Sequence, residues 1–183
     1  MVYSDTLNGK FVYLRSVTIE DAEAILSLRQ NPKLTKYLPR LDITVEQQRK
    51  WIEEQRTREG DYYFSVWNRQ NEMIGTIRVY NISDGSGETG SLALKGNAFE
   101  NLEAKLLCED FQWDILNLHT TKSVIDAENS QAQKFAGLFG TEFNAPSLDA
   151  RGFQCVIGHN DKERSIEYRN KVRKILYKNE NNV

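Results

Sequence analysis

Residues 92–104 read LALKGNAFENLEA. An apolar run reaches a glycine, crosses polar residues and enters a helical pattern, and those three parts together make a phosphate-binding loop. Unsatisfied N–H groups and the dipole at a helix N-terminus hold an anion, and a glycine lets the backbone come close to it. Lys95, Gly96, Asn97 and Ala98 form this turn. It holds a single glycine, and Glu100 brings a negative charge into the first helical turn, which Lys95 partly offsets. Cys108, Cys155, His119 and His159 lack the spacing of a metal cluster, so no metal site is expected. The two cysteines read as reduced thiols of a cytoplasmic protein.

The elements that position this loop follow from pattern. KFVYLRSV alternates as a strand, and Thr18 with Asp21 caps the helix that follows, which Asn31-Pro32 ends. Thr44 caps a second helix, VEQQRKWIEEQRT. YYFSVWN and MIGTIRVYNI form a hairpin about RQNE, SDGSG turns the chain again, and ETGSLALK is the strand that feeds the loop. Residues 99–118 carry Leu102, Leu106, Cys108, Phe111, Trp113 and Ile115 at mixed helical spacing, the mark of a long, substantially buried helix. TTKSVIDA is a strand and NSQAQKFAGLFG a short helix with Asn129 at its N-cap. TEFNA and FQCVIGH form a last hairpin joined by PSLDARG, and residues 161–178 form a charged terminal helix. The prediction is a single α/β domain over residues 1–183, with a mixed, mostly antiparallel sheet. Only the strand–helix–strand crossover from ETGSLALK to TTKSVIDA forces a parallel pair.

Composition narrows the function. Apolar residues make up 39% and charged residues 27% of 183, the profile of a solvated globular chain. A net charge of −2 offers no general attraction to nucleic acid or anionic membranes, and no run approaches a membrane span.

This order of elements, from about residue 11 to 143, resembles the GNAT superfamily of acyl-CoA-dependent N-acyltransferases. It is most similar to the branch that acetylates ribosomal-protein N-termini, with related antibiotic and nucleotide-sugar acetyltransferases. FVYLRSVTIEDAEAILSLRQNP is similar to that branch's opening, EMIGTIRVYNI to its third strand, and ETG to the start of its cofactor strand. In VIDAENSQAQKFAGLFGTEF, Asn129, Ala132 and Gly140 keep the family's intervals, with Thr141 in place of a Phe.

The resemblance implies a sheet whose two parallel strands splay, so that acetyl-CoA lies between them as a co-substrate. Leu92 and Leu94 then give backbone contacts to its pantetheine arm and Asn129 a side-chain contact, while Lys95, Gly96, Asn97 and Ala98 receive the pyrophosphate. The loop departs from the family's two glycines. Glu88 is implied as the base and Ser130 as the acid, where many relatives have a Tyr at the position of Ala136. As residues alone, Glu88 reads as a solvated strand end and Ser130 as a cap. His159, at a strand end, is a weaker candidate for a second base. Tyr37 and Arg40, in KYLPRL, are implied substrate contacts, and a guanidinium suits a carboxylate or phosphate. The function implied is N-acetylation of a primary amine on a small molecule or peptide, by a monomer or a homodimer. The alternative is a degenerate binding or regulatory module of the same fold.

Overall fold

The computed structural model describes residues 1–149 and 151–178. Ala150, in the loop joining the expected last hairpin, and residues 179–183 of the expected domain lie outside them. The strands are β1 (Leu7–Asn8), β2 (Val12–Ser16), β3 (Tyr62–Asn68), β4 (Met73–Ser83), β5 (Ser86–Leu94), β6 (Thr120–Asp126), β7 (Glu142–Phe143), β8 (Ser147–Leu148) and β9 (Gln154–Asp161). The helices are α1 (Ala22–Gln30), α2 (Pro32–Thr35), α3 (Val45–Thr57), α4 (Ala98–Asp110), α5 (Ser130–Gly137) and α6 (Lys162–Leu176). They build the expected mixed α/β domain, a sheet in the order β1-β2-β3-β4-β5-β6-β9-β7 with β8 also on β9. Every pairing is antiparallel except β5 with β6. No helix of the described residues is long and apolar enough to cross a membrane.

The alternation of the strands places two cores on opposite faces. Val12, Leu14, Phe64, Val66, Ile77 and Val79 meet Ala104 and Cys108 of α4, with Phe111 and Trp113 beyond it. On the other face Val17, Ala22, Ile25, Leu28, Ile52 and Tyr63 pack under α1 and α3. Several details differ from the sequence reading. A 3-10 turn at Ile19–Asp21 precedes α1, with Thr18 N–H donating to the Asp21 carboxylate at 2.9 Å. The expected long helix is α4 followed by a π turn, Phe111–Ile115, in which Leu116 N–H bonds back to the Phe111 carbonyl at 2.9 Å. That shift lets Phe111 and Trp113 stay fully buried while Ile115 turns outward. The last hairpin is a three-strand patch in which β7 and β8 both pair with β9.

Glu103 ties residues 10–12 and Tyr177 to α4. Its carboxylate is fully buried and accepts the backbone N–H groups of Lys10, Phe11 and Val12 at 2.6–2.8 Å. It also accepts the Tyr177 hydroxyl at 2.6 Å. Removing it leaves buried donors without a partner, each costing about 1–3 kcal/mol. We expect Glu103→Ala to lower stability by about 3–5 kcal/mol in urea unfolding. A loss under about 1 kcal/mol would contradict this anchoring role.

Candidate active site

β5 pairs with β6 through three residues only: Ser86 with Thr120, Gly87 with Thr121, Glu88 with Lys122. Beyond Glu88 the strands part, although both continue. β5 stays on β4 to the pair Leu94–Gly75, and β6 stays on β9 to the pair Asp126–Cys155. A bulge marks the departure. Between the pairs Arg78–Gly90 and Thr76–Ala93, β5 carries one residue more than β4, and Ser91 takes a left-handed φ of 49°. Gly75 accommodates the bulged strand, since a Cβ there would lie 2.4 Å from the Ala93 carbonyl oxygen.

The gap is a cavity of ≈130 Å³. Thr89, Gly90 and Leu92 of β5 line one side, and Lys122, Val124 and Asp126 of β6 the other. Asn129, Ala132 and Ala136 close it from α5, and Tyr37 and Leu38 from the loop after α2. Phe99, a bulky side chain at the loop, does not plug this gap; it is 48% exposed and lies 5.5 Å, ring to ring, from Phe11 at the far side of α4.

Glu88 stands at the last register pair before the gap. Register puts Tyr80, Glu88, Lys122, His159 and Glu142 in one row across five strands, all on the sheet face opposite α4. The Tyr80 hydroxyl donates to Glu88 through a short hydrogen bond, Asn81 Nδ2 donates at 3.3 Å, and Lys122 Nζ lies 3.4 Å from the carboxylate. Burial pushes the Tyr80 phenol above the ordinary tyrosine range, and its bond to Glu88 pushes it further.

Thr89, one residue on, points to the α4 face and opens a buried polar chain. Its Oγ1 donates to Gln112 Oε1 at 2.8 Å, Gln112 Nε2 donates to Glu109 at 2.8 Å, and Trp113 Nε1 donates to the same Glu109 oxygen at 2.6 Å. Lys105 Nζ meets the other Glu109 oxygen at 2.5 Å. Lys105 and Glu109 both line the cavity.

The remaining expected residues fall in distinct places. Asn129 lines the gap and caps α5, accepting Ala132 N–H at 3.0 Å. Ser130, first residue of α5, is exposed and is not among the cavity lining. Tyr37 lines the gap, whereas Arg40 is exposed in a separate groove with Arg29, Thr35 and Asp42. At the loop, Lys95 N–H bonds to the Ile74 carbonyl at 2.8 Å. Asn97 caps α4, its Oδ1 accepting Phe99 and Glu100 N–H at 3.0 and 3.1 Å while Glu100 Oε2 accepts Asn97 N–H at 2.7 Å. Gly96 is closely surrounded: a Cβ there would lie within 2.9 Å of the ends of the Ile74, Asn101 and Glu100 side chains, which would have to move aside.

Sequence reasoning missed Tyr80, Lys122, Lys105 and Glu109. For the first two the signal was available, because the hairpin register places Tyr80 opposite Glu88 and a parallel partner brings Lys122 beside it. For Lys105 and Glu109 the sequence offers only the (i, i+4) spacing common to ion pairs on helix surfaces. Only the burial of both faces of α4 turns that pair inward.

Residues 12–142 match the family model of the acetyltransferase (GNAT) domain, and the chain belongs to that family. Among solved structures it is similar to apo FdhC, a nucleotide-linked sugar GNAT, with TM-score 0.79 and 24% identity over 96% of this chain and 98% of that one. It is similar in fold to the spermidine N-acetyltransferase of Vibrio cholerae in complex with CoA and spermine, with TM-score 0.77 and 16% identity over 86% and 99%. A GCN5-related N-acetyltransferase from Brucella melitensis aligns with TM-score 0.80 and 15% identity over 95% and 86%. No curated protein sequence matches the chain.

Tyr63, Tyr80 and Tyr177 are all raised above the ordinary tyrosine range, burial being the first cause in each. Below about pH 10 both folded and unfolded chains keep these protons and the full stability is present. Above it the unfolded chain ionises first, so stability falls as pH rises. We expect Tyr63, Tyr80 and Tyr177 to titrate late in the native protein, and Tyr80→Phe to remove one late-titrating phenol, read from tyrosinate absorbance. All eight tyrosines titrating together in the folded protein would contradict this environment for Tyr80.

Proposed function

We propose that this chain transfers the acetyl group of acetyl-CoA to a primary amine, with Glu88 as the base that takes the amine's proton. The observation carrying this reading is that β5–β6 pairing ends at Glu88, so a carboxylate stands at the apex of a gap whose inner edges offer unpaired backbone groups. An amide-bearing arm satisfies such edges as an added strand does. The fit rests on a cavity already open between the strands, with Leu92 and Asn129 on its walls. Leu92 and Leu94 would hold the arm by their backbone, Asn129 by its side chain, and Lys95 to Ala98 the phosphates. When bound, acetyl-CoA supplies the acetyl thioester. Glu88 holds the acceptor's nitrogen on the opposite face and receives its proton, with Tyr80, Asn81 and Lys122 orienting the carboxylate.

The acceptor is a protein N-terminus, an amino sugar or another small amine, approached past Tyr37, with Arg40 at the outer rim for an anionic group. We retain the ribosomal-protein branch as the relatives this chain resembles, Ser130 as the candidate acid, a cytoplasmic location consistent with two buried free thiols, and a monomer or homodimer. The phosphate loop is proposed as a weakened version of the two-glycine pattern, because Asn97 and Glu100 occupy the first-turn hydrogen bonds that phosphates use. That same observation favours a second reading, a member of the fold that binds without catalysis.

Acetyl-CoA at a hundred times its dissociation constant should add about 2.7 kcal/mol, a rise of several degrees in Tm. No shift with any acyl-CoA at millimolar concentration would favour the non-catalytic reading. Glu88→Gln should cut turnover by about 10²-fold or more and leave acetyl-CoA binding unchanged; undiminished turnover would remove Glu88 from the mechanism. Glu100→Gln keeps the capping bond and removes the charge, so we expect acetyl-CoA to bind about fivefold more tightly by calorimetry. Equal or weaker binding would contradict the charge conflict at the loop.

A further inference from the structure

Lys105 is the charged side chain whose position neither the fold nor the base chemistry explains. It is 6% exposed, in the second turn of α4, and it lines the gap between β5 and β6. An ammonium carries three N–H donors. One meets Glu109 at 2.5 Å, and the nearest aromatic face, Phe139, has its centroid 5.8 Å away. Glu109 is not devoted to Lys105, since its other oxygen accepts from both Gln112 and Trp113. Three donors therefore share one carboxylate, and the ammonium keeps donors for the cavity it lines. A buried cation with spare donors is costly unless something accepts from it.

Burial, the largest single influence, favours loss of the Lys105 proton, but the Glu109 charge, the Cys108 side chain and the hydrogen bond to Glu109 together hold the group above the ordinary lysine range. Glu109 and Cys108 act on it from its own helix, and the other titratable groups on the walls of the cavity are Lys122 and Asp126 of β6 and Tyr37 of the loop after α2. Cys108 stays a thiol, pushed by burial up to about 12. Lys105 is thus a fixed positive charge and a poor proton donor.

Aminolysis of a thioester forms a C–N bond and breaks a C–S bond. Counted from the free amine, one proton leaves nitrogen for Glu88, and the electron pair of the broken bond stays on sulfur. The negative charge that appears in the gap is therefore a thiolate, and Lys105 is a buried cation on its wall. We propose that Lys105 is a catalytic residue that receives the leaving CoA sulfur as a thiolate and holds it as an ion pair, keeping its own proton throughout. This rests on the acyl-CoA reading above.

The test is the titration of the CoA thiol when bound. Thiolate absorbance in the far ultraviolet is followed against pH for free CoA and for CoA saturating the protein, with desulfo-CoA, which has no sulfur, as the blank. We expect the bound thiol to ionise at least about one pH unit below the free one, equivalent to the thiolate binding tenfold or more tightly than the thiol. Lys105→Met should return the bound thiol to the free value and leave desulfo-CoA affinity within about threefold. Should that variant fail to fold around an unpaired Glu109, the doubly substituted Lys105→Met, Glu109→Met removes both charges, and the wild-type titration stands by itself. CoA that binds with an unshifted thiol overturns the role of Lys105 alone. CoA and desulfo-CoA that both fail to bind overturn the acyl-CoA reading, and this inference falls with it.

Discussion

Three residue pairs join the two halves of the sheet. β1 to β5 form one antiparallel half, β6 to β9 the other, and only the pairs from Ser86–Thr120 to Glu88–Lys122 connect them. Each half is otherwise complete. β5 is held along its length by β4, and β6 by seven register pairs with β9. The strands can part beyond Glu88 because neither needs the other to be stable, and the Ser91 bulge bends β5 at that point. A gap made this way leaves polar backbone edges inside a protein, which is tolerable only where something else satisfies them.

The crossing between halves is made by α4, and its side chains do two different jobs. Glu103 looks back to the first strands and fixes the N-terminal segment and Tyr177 in place. Lys105 and Glu109 look into the gap, and Gln112, past the helix, ties Glu109 to Thr89. A buried polar layer of this kind stabilises less than apolar packing would. It gives the cavity a charged wall, with the sheet between that wall and Glu88. Glu88 and the polar layer thus lie on opposite sides of the same strand, Glu88 outward and Thr89 inward, separated by the period of two in β structure.

Much of this was legible in the sequence. Alternation marked β2, aromatic and β-branched residues about a polar turn marked β3 and β4, the crossover rule required one parallel pair, and Asn129 announced α5 as a cap. The position of Glu88 near the head of β5 was likewise readable from residue type and place, whereas Asn97, read as part of the phosphate turn, proves to be the cap of α4. What escaped has physical reasons. Ser91, not a glycine, takes the left-handed conformation of the bulge, and the glycine beside it, Gly90, marks a bulge only once the register of β5 on β4 is known. The π turn follows from fitting Phe111 and Trp113 together into the core, a tertiary demand with no local marker. β1 and β8 are two residues long and exist only as partners of β2 and β9. The Lys105–Glu109 pair has the spacing of a surface ion pair, and its burial depends on neighbours distant in the chain.

The central claim is that β5 and β6 separate beyond Glu88 to leave edges that an acyl-CoA fills. Hydrogen exchange resolved to single amides tests it most directly. In the free protein the gap-facing amides of residues 90–94 and 123–126 should exchange much faster than those paired to β4 and β9, and acetyl-CoA should slow them selectively. Slow exchange of these amides in the free protein, or rates that saturating acetyl-CoA leaves unchanged, would contradict the account.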